Sequence, residues 1–196
     1  PAGAQSAPWG PGSATAVLPF NPPARNESVT SGNEAGSSSA AAVTVVSSQK
    51  DNKGGSKEGS KNGSPSSRGV KRNFDDLADH YELEKIKTIG DAYMIASGIP
   101  ISDPNNAKKI SAFALDMQSF IQKYSASHKV DLALRIGIHS GPLVAGVLGK
   151  KKFTYDLWGT TVNTAARIEA QGPVDVILIS KTTQLLIKDD FICESR

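Results

Sequence analysis

The chain has 196 residues, 22 Lys plus Arg against 19 Asp plus Glu, 38% hydrophobic residues and one cysteine, the bulk of one ordinary domain with something added. No apolar run approaches the ~20 residues of a membrane-spanning helix, and Cys193 alone permits neither an internal disulfide nor a Cys-rich zinc site. That cysteine usage suits a reducing, cytoplasmic location, and "PAGAQSAPWG" has neither the charged nor the apolar part of a signal peptide.

Residues 1–72 hold nine large apolar side chains among stretches such as "SGNEAGSSSAAA" and "KDNKGGSKEGSKNGSPSSRG". So little burial does not offset ~1–2 kcal/mol per residue of backbone ordering, so the expectation is a disordered tail, dispensable for folding. The tail carries eight Lys/Arg against four Asp/Glu and residues 73–196 fourteen against fifteen, so the net +3 is +4 from the tail and −1 from the body. A strongly basic domain is excluded, and with it the simplest nucleic-acid-binding reading. The sequons at Asn26 and Asn62 have no secretory context, and Pro1 in place of an initiating Met reads as a piece of something longer.

From Phe74 the texture changes. "FDDLADHYEL" spaces Phe74, Leu77 and Tyr81 as the end of a helix, and "EKIKTI", Gly90–Asp91 and "AYMIASG" form a β-hairpin with Asp91 at its tip. Asp103–Pro104 opens an amphipathic helix over residues 104–126. Leu132, Leu134, Ile136 and Ile138 alternate as a strand, "SGPLVAGVLGKKK" leads through a Gly-rich connection into the strand "FTYDLWG", and "TTVNTAARIEAQ" is a helix stopped by Gly172–Pro173. A buried strand "VDVILIS", a short helix "KTTQLLIKD" and a strand "FICES" follow. This order specifies an α+β sandwich without its opening strand.

Three groups could carry chemistry. Asp91 exposes a carboxylate at a turn beside a glycine, which is also ordinary turn composition. Asn163 and Arg167 stand four apart on one helix face, suited to a ribose and a phosphate or simply to solvent. Lys87 and Asp156 each sit on a strand with apolar alternate neighbours. No P-loop spacing, nucleophile elbow or His-x-x-x-His pair occurs, and Lys150–Lys152 read as a solvated hairpin tip.

"LEKIKTIGDAYMIASGIP", "LRIGIHSGPLVAGVLG" and "YDLWGTTVNTAARIEAQG", in that order, resemble the catalytic domain of class III nucleotidyl cyclases, the adenylate and guanylate cyclases, over about residues 73–196. The resemblance implies a ferredoxin-like α+β fold and a site shared between two cyclase domains in a homodimer or pseudo-heterodimer, with Mg²⁺ or Mn²⁺. It places a metal-binding aspartate on Asp91, the adenine-selecting pair on Lys87 and Asp156, and the ribose and phosphate contacts on Asn163 and Arg167. Lys87 and Asp156 side with ATP, since the guanylate cyclases resembled here carry a Glu and a Cys or similar residue instead. The implied activity is conversion of ATP to cyclic AMP and pyrophosphate. A guanylate cyclase and a catalytically silent dimerising module are the rivals, and a basic tail tethering RNA or anionic lipid is a weaker one. The family's F-x-D-[IV]-x-G-F strand, with its second metal aspartate, has no counterpart in the sequence, and its downstream V-K-G-K-G lysine would fall beyond Arg196. The expectation is a domain clipped at both ends and inactive alone.

Overall fold

The computed structural model describes residues 16–18, 41–49 and 65–195. The elements are β1 (Ala16–Leu18), β2 (Ala41–Gln49), α1 (Pro65–His80), β3 (Glu84–Ile89), β4 (Ala92–Ser97), α2 (Asn106–His128), β5 (Ala133–Gly141), β6 (Val144–Leu148), β7 (Thr154–Trp158), α3 (Thr160–Gln171), β8 (Val176–Ile179), α4 (Lys181–Ile187) and β9 (Glu194–Ser195). Seven strands form one sheet in the order β3-β4-β2-β5-β8-β1-β9, and β6 and β7 form a separate hairpin. The succession β2-α1-β3-β4-α2-β5, with β2 between β4 and β5, is the ferredoxin-like split arrangement.

The α+β class is as expected, but two parts of the tail reading need correction. Residues 41–49, expected to be disordered, are an interior strand of the sheet, antiparallel to β4 (Val43↔Ala96, Val46↔Tyr93) and to β5 (Ala41↔Gly141, Gln49↔Ala133). The opening strand expected to be missing is therefore present, built from "AAVTVVSSQ". Residues 65–72 form the first half of α1, and residues 16–18 pair with β8 and β9. Composition averaged over 72 residues conceals a local run of β-branched side chains, and a strand flanked on both sides needs only a short run of them to be held. The remainder of residues 1–64 lies outside the described residues.

The alternation of β2 divides the core. Ala42 and Val46 join Ile95, Phe113, Met117, Ile136, Ile138 and Phe74 beneath α1, α2 and α4. Val43 and Val45 face the other way, with Met94, Ala96, Leu157, Val162 and Ala165 beneath α3 and β7. Both faces of the sheet are covered, so β2 is buried throughout its described side chains. Buried Thr44 donates to the Gly137 carbonyl at 3.0 Å, which meets its polar requirement inside the sheet.

Helix α2 begins at Asn106 rather than residue 104. The Asp103 carboxylate accepts from the Asn105 N–H at 2.8 Å and the Asp103 carbonyl from the Asn106 N–H at 3.1 Å, so residues 103–105 form a turn ahead of the helix. Lys129 closes α2 in the left-handed region, with φ 52°.

Candidate active site

The hairpin β3–β4 contains a bulge between Lys85 and Lys87: Lys85 pairs with Ile95, and Lys87 with Met94. In an unbroken strand residues 85 and 87 would share a face. The extra residue re-aims one of them. Lys85 bonds Asp75 of α1 at 2.6 Å, while Lys87 reaches the opposite layer and donates to Asp156 Oδ2 of β7 at 2.7 Å. Residues 69 apart in sequence thus meet at one spot, their side chains 34% and 18% exposed.

Asp156 also accepts from the Leu157 N–H at 2.8 Å. The Lys87 ammonium, aided by that N–H, holds the Asp156 carboxyl below its ordinary value against the opposing effect of burial. Lys87 keeps further N–H donors and Asp156 further lone pairs, so the pair can offer a donor and an acceptor side by side to a planar ligand edge.

Asn163 and Arg167 are both exposed, one turn apart on α3, while Val162 and Ala165 of the same helix enter the core beneath it. The helix is seated closely: a Cβ on Gly137 of β5 would stand 2.3 Å from the Glu169 nitrogen and 2.6 Å from the Ala165 carbonyl. Thr161 Oγ1 donates to the Pro142 carbonyl at 2.5 Å, fixing the first turn of α3 against the loop after β5.

Asp91 is exposed after Gly90, which has φ +61° at the hairpin tip. No hydrogen bond or ion pair among the described residues joins it to Lys87 or Asp156. Instead, Lys71 of α1 reaches the tip and donates to the Gly90 carbonyl at 3.4 Å. Sequence reasoning missed this lysine, because residue 71 was assigned to the tail.

It also missed a buried network behind α3. Glu169, 8% exposed, accepts from Arg135 Nε at 3.1 Å and from the Ser47 hydroxyl, and Arg135 Nη2 donates to Ser47 Oγ at 3.4 Å. The available signal was Arg135 on the polar side of an alternating strand, a charge that needs a partner once α3 covers it. The network fastens β2, β5 and α3 together behind the exposed Asn163–Arg167 face.

A sheet layered in this way, with a lysine–aspartate pair beside an asparagine–arginine helix, has relatives. The pattern describing the adenylate and guanylate cyclase catalytic domain matches residues 68–196, and the chain belongs to that family. An adenylate cyclase of Mycobacterium tuberculosis is 40% identical over 123 residues, 63% of this chain and 28% of that protein. Guanylyl cyclase C of Mus musculus is 44% identical over 133 residues, 65% of this chain and 12% of that protein. The guanylate cyclase domain of RhGC from Catenaria anguillulae, solved in complex with GTP, matches with a TM-score of 0.71 and 31% identity, covering 79% of this chain and 85% of that one. The chain thus spans 28% and 12% of the length of these two curated relatives. Kinship is shared between adenylate and guanylate cyclases. The matched stretch begins after β2, so that strand is not part of it.

The family uses divalent metal ions, and the described residues do not form a two-ion cradle. Strand β2 carries no Asp or Glu, and no group of three His, Cys, Asp or Glu side chains is placed to hold a metal among the described residues. Two hard cations bridging a polyphosphate require several carboxylate oxygens. Asp91 offers one carboxylate, with the Lys71 ammonium close by.

Proposed function

We propose that this domain acts in an adenylate cyclase, converting ATP to 3′,5′-cyclic AMP and pyrophosphate at a site shared with a second cyclase domain, with Mg²⁺ or Mn²⁺ as the family's cofactor. The observation that carries the reading is the Lys87–Asp156 pair at 2.7 Å. Adenine presents an acceptor at N1 and a donor at its exocyclic amine, which match the Lys87 ammonium and the Asp156 carboxylate. Guanine presents a donor at N1 and an acceptor at O6, the reverse pattern. Each mispaired buried polar group costs roughly 1–3 kcal/mol, so two such contacts discriminate well.

In the reaction the ribose 3′-oxygen attacks the α-phosphorus, its proton leaves, and the bond to the β-phosphate oxygen breaks. Asn163 holds the ribose so that attack is in line. Arg167, one turn along the same face, meets the negative charge that grows on the α-phosphate. Both stand on a helix fixed against the sheet at Gly137, so their positions are set before nucleotide arrives. Asp91 is the one position of the family's acidic pair that this sequence retains.

The test is steady-state cyclic nucleotide formation by a dimer containing this chain, with ATP and GTP in parallel. Lys87→Glu with Asp156→Cys shifts the ATP to GTP ratio of kcat/KM towards GTP by more than about 10-fold. An unchanged ratio would place base selection elsewhere and remove the adenylate assignment.

A further inference from the structure

We propose that Lys85 is a positioning residue for base selection: by occupying Asp75 on one side of the sheet, it leaves Lys87 free to reach Asp156 on the other. The inference rests on the adenine reading of the Lys87–Asp156 pair given above and adds the device that keeps that pair together.

Strand β3 can be laid against β4 in two ways. Glu84 pairs with Ala96 and Lys85 with Ile95, and beyond the bulge Lys87 pairs with Met94, Thr88 with Tyr93 and Ile89 with Ala92. Successive residues of β4 enter opposite layers: Ile95 and Tyr93 lie beneath α1 and α2, and Met94 lies on the side of α3 and β7. Lys85 therefore stands on the α1 side and Lys87 on the β7 side. Ile86 also packs in the β7 layer, so residues 86 and 87 share one face, as a bulge allows and a regular strand does not. If the pairing of Glu84 and Lys85 continued without the bulge, Ile86 would fall opposite Met94 and Lys87 opposite Tyr93. Thr88 would then meet Ala92, leaving a tip of three residues in place of two. Both lengths are common in hairpins, so the turn alone does not choose between the registers.

In that second register Lys87 enters the α1 layer, close to Asp75. There Asp75 Oδ1 accepts from the Tyr93 hydroxyl at 2.7 Å and from Lys85 at 2.6 Å, and the Lys85 ammonium stands 5.2 Å from the centre of the Tyr93 ring. Burial raises the Asp75 carboxyl, but the hydrogen bonds from Lys85 and Tyr93 and the charges of Lys85 and Lys71 outweigh it and hold the group below its ordinary value. Two lysines of β3 and two carboxylates are thus divided between the layers, and a strand without Lys85 offers Asp75 the other lysine. The side chains of Lys85 and Asp75 are 40% and 42% exposed, so their pair adds little to stability. Its consequence is which lysine goes to which layer.

The experiment compares Lys85→Met, Asp75→Asn and the double variant in the full chain. The Asp156 carboxyl, followed by carbon NMR, titrates below 3.8 in the unaltered chain. In Lys85→Met its titration rises towards 3.8 as Lys87 departs, and in the double variant it is low again, because an amide at position 75 carries no charge to draw Lys87 away. In a dimer containing each variant, the ATP to GTP ratio of kcat/KM falls at least ~5-fold for Lys85→Met, is unchanged for Asp75→Asn, and recovers to within about twofold in the double variant. A merely structural loss would not be rescued by a second substitution. The inference alone is overturned, with the cyclase reading intact, if Lys87→Glu with Asp156→Cys shifts the ratio but Lys85→Met leaves the ratio or the Asp156 titration unchanged, or if the double variant is no better than Lys85→Met. If no variant alters the ratio, Lys87→Glu with Asp156→Cys included, the adenine reading falls and the inference with it.

Discussion

Gly137 and Arg167 illustrate two different demands that α3 makes on single residues. At Gly137 the demand is space. A methyl group there would meet the helix backbone at 2.3 Å, and main-chain atoms cannot rotate aside. Gly137→Ala is expected to cost about 3 kcal/mol, read as a lower urea midpoint at unchanged slope, and to impair the site by displacing the helix. At Arg167 the demand is charge. In a competent dimer, Arg167→Ala should lower kcat by roughly 10²-fold with little change in KM, since the contact strengthens only as charge moves onto the phosphates. A rise in KM alone would make Arg167 a ground-state contact.

His139 adds a pH dependence. It is half-buried on β5, its Nδ1 2.8 Å from Ser180 Oγ, and burial pushes its pKa below 6.5. A lowered histidine value means that the fold favours the neutral ring. Its contribution is therefore complete above pH ~6.5 and declines as pH falls through the lower native value. Asp156 follows at more acid pH, since its stabilised carboxylate loses its contribution only as pH falls below 3.8 through the depressed native value. Denaturant midpoints taken between pH 7.5 and pH 5 should fall for the unaltered chain and fall less for His139→Gln. Equal declines would assign the effect to other groups.

Among the elements, β2 reverses the expectation that the tail can be removed. It lies between β4 and β5, hydrogen-bonded on both sides, and contributes Val43, Val45 and Val46 to the two core layers. Deleting residues 1–64 would open two ladders and expose the core on both faces. Amide exchange in α2 should then lose most of its protection, whereas deleting residues 19–38, which spares both β1 and β2, should leave it intact. Retained protection in the first deletion would mean that β4 and β5 can close against each other.

The body of the domain was legible because its periodicities are long and regular. Strand β5 alternates over Leu134, Ile136 and Ile138, and α2 repeats Ile110, Phe113, Met117 and Ile121, all now found buried. Strand β2 was not legible. "AAVTVVSSQ" is apolar in its first half and polar in its second, and it needs two partners distant in sequence before it is a strand at all. The Lys87–Asp156 meeting was legible only through family resemblance, since neither the bulge at residue 86 nor the approach of β7 to β3 leaves a local signature.

At the scale of the whole molecule, polar ties cross between elements at the periphery while apolar contacts fill both layers. Lys109 of α2 bonds Glu82 at 2.6 Å and Asp103 at 2.8 Å, and Lys108 of the same helix bonds Asp190 beyond α4. Such exposed pairs contribute little each, so added salt should lower stability only slightly. The hairpin β6–β7 is not hydrogen-bonded into the main sheet; β7 packs Leu157 onto the sheet, while Val144, Val147, Leu148 and Phe153 stay exposed. Val147→Asp with Phe153→Asp should weaken association with a cyclase partner by more than 10-fold in sedimentation while leaving the melting temperature within a few degrees.

The register of β2 also sets the timetable of folding. Ala41 finds its partner at Gly141, a hundred positions later, and Gln49 finds Ala133. The hairpin β3–β4 and helix α2 lie wholly inside that loop and can form early, but the sheet cannot close until residue 141 has left the ribosome. Closure over so long a loop is slow. Until then the apolar faces of β4 and β5 stay bare, so during synthesis this chain should lean on chaperones more than its modest size suggests. Nascent chains arrested just short of Gly141 should be cleaved readily by protease within α2, and those released some thirty residues later should resist.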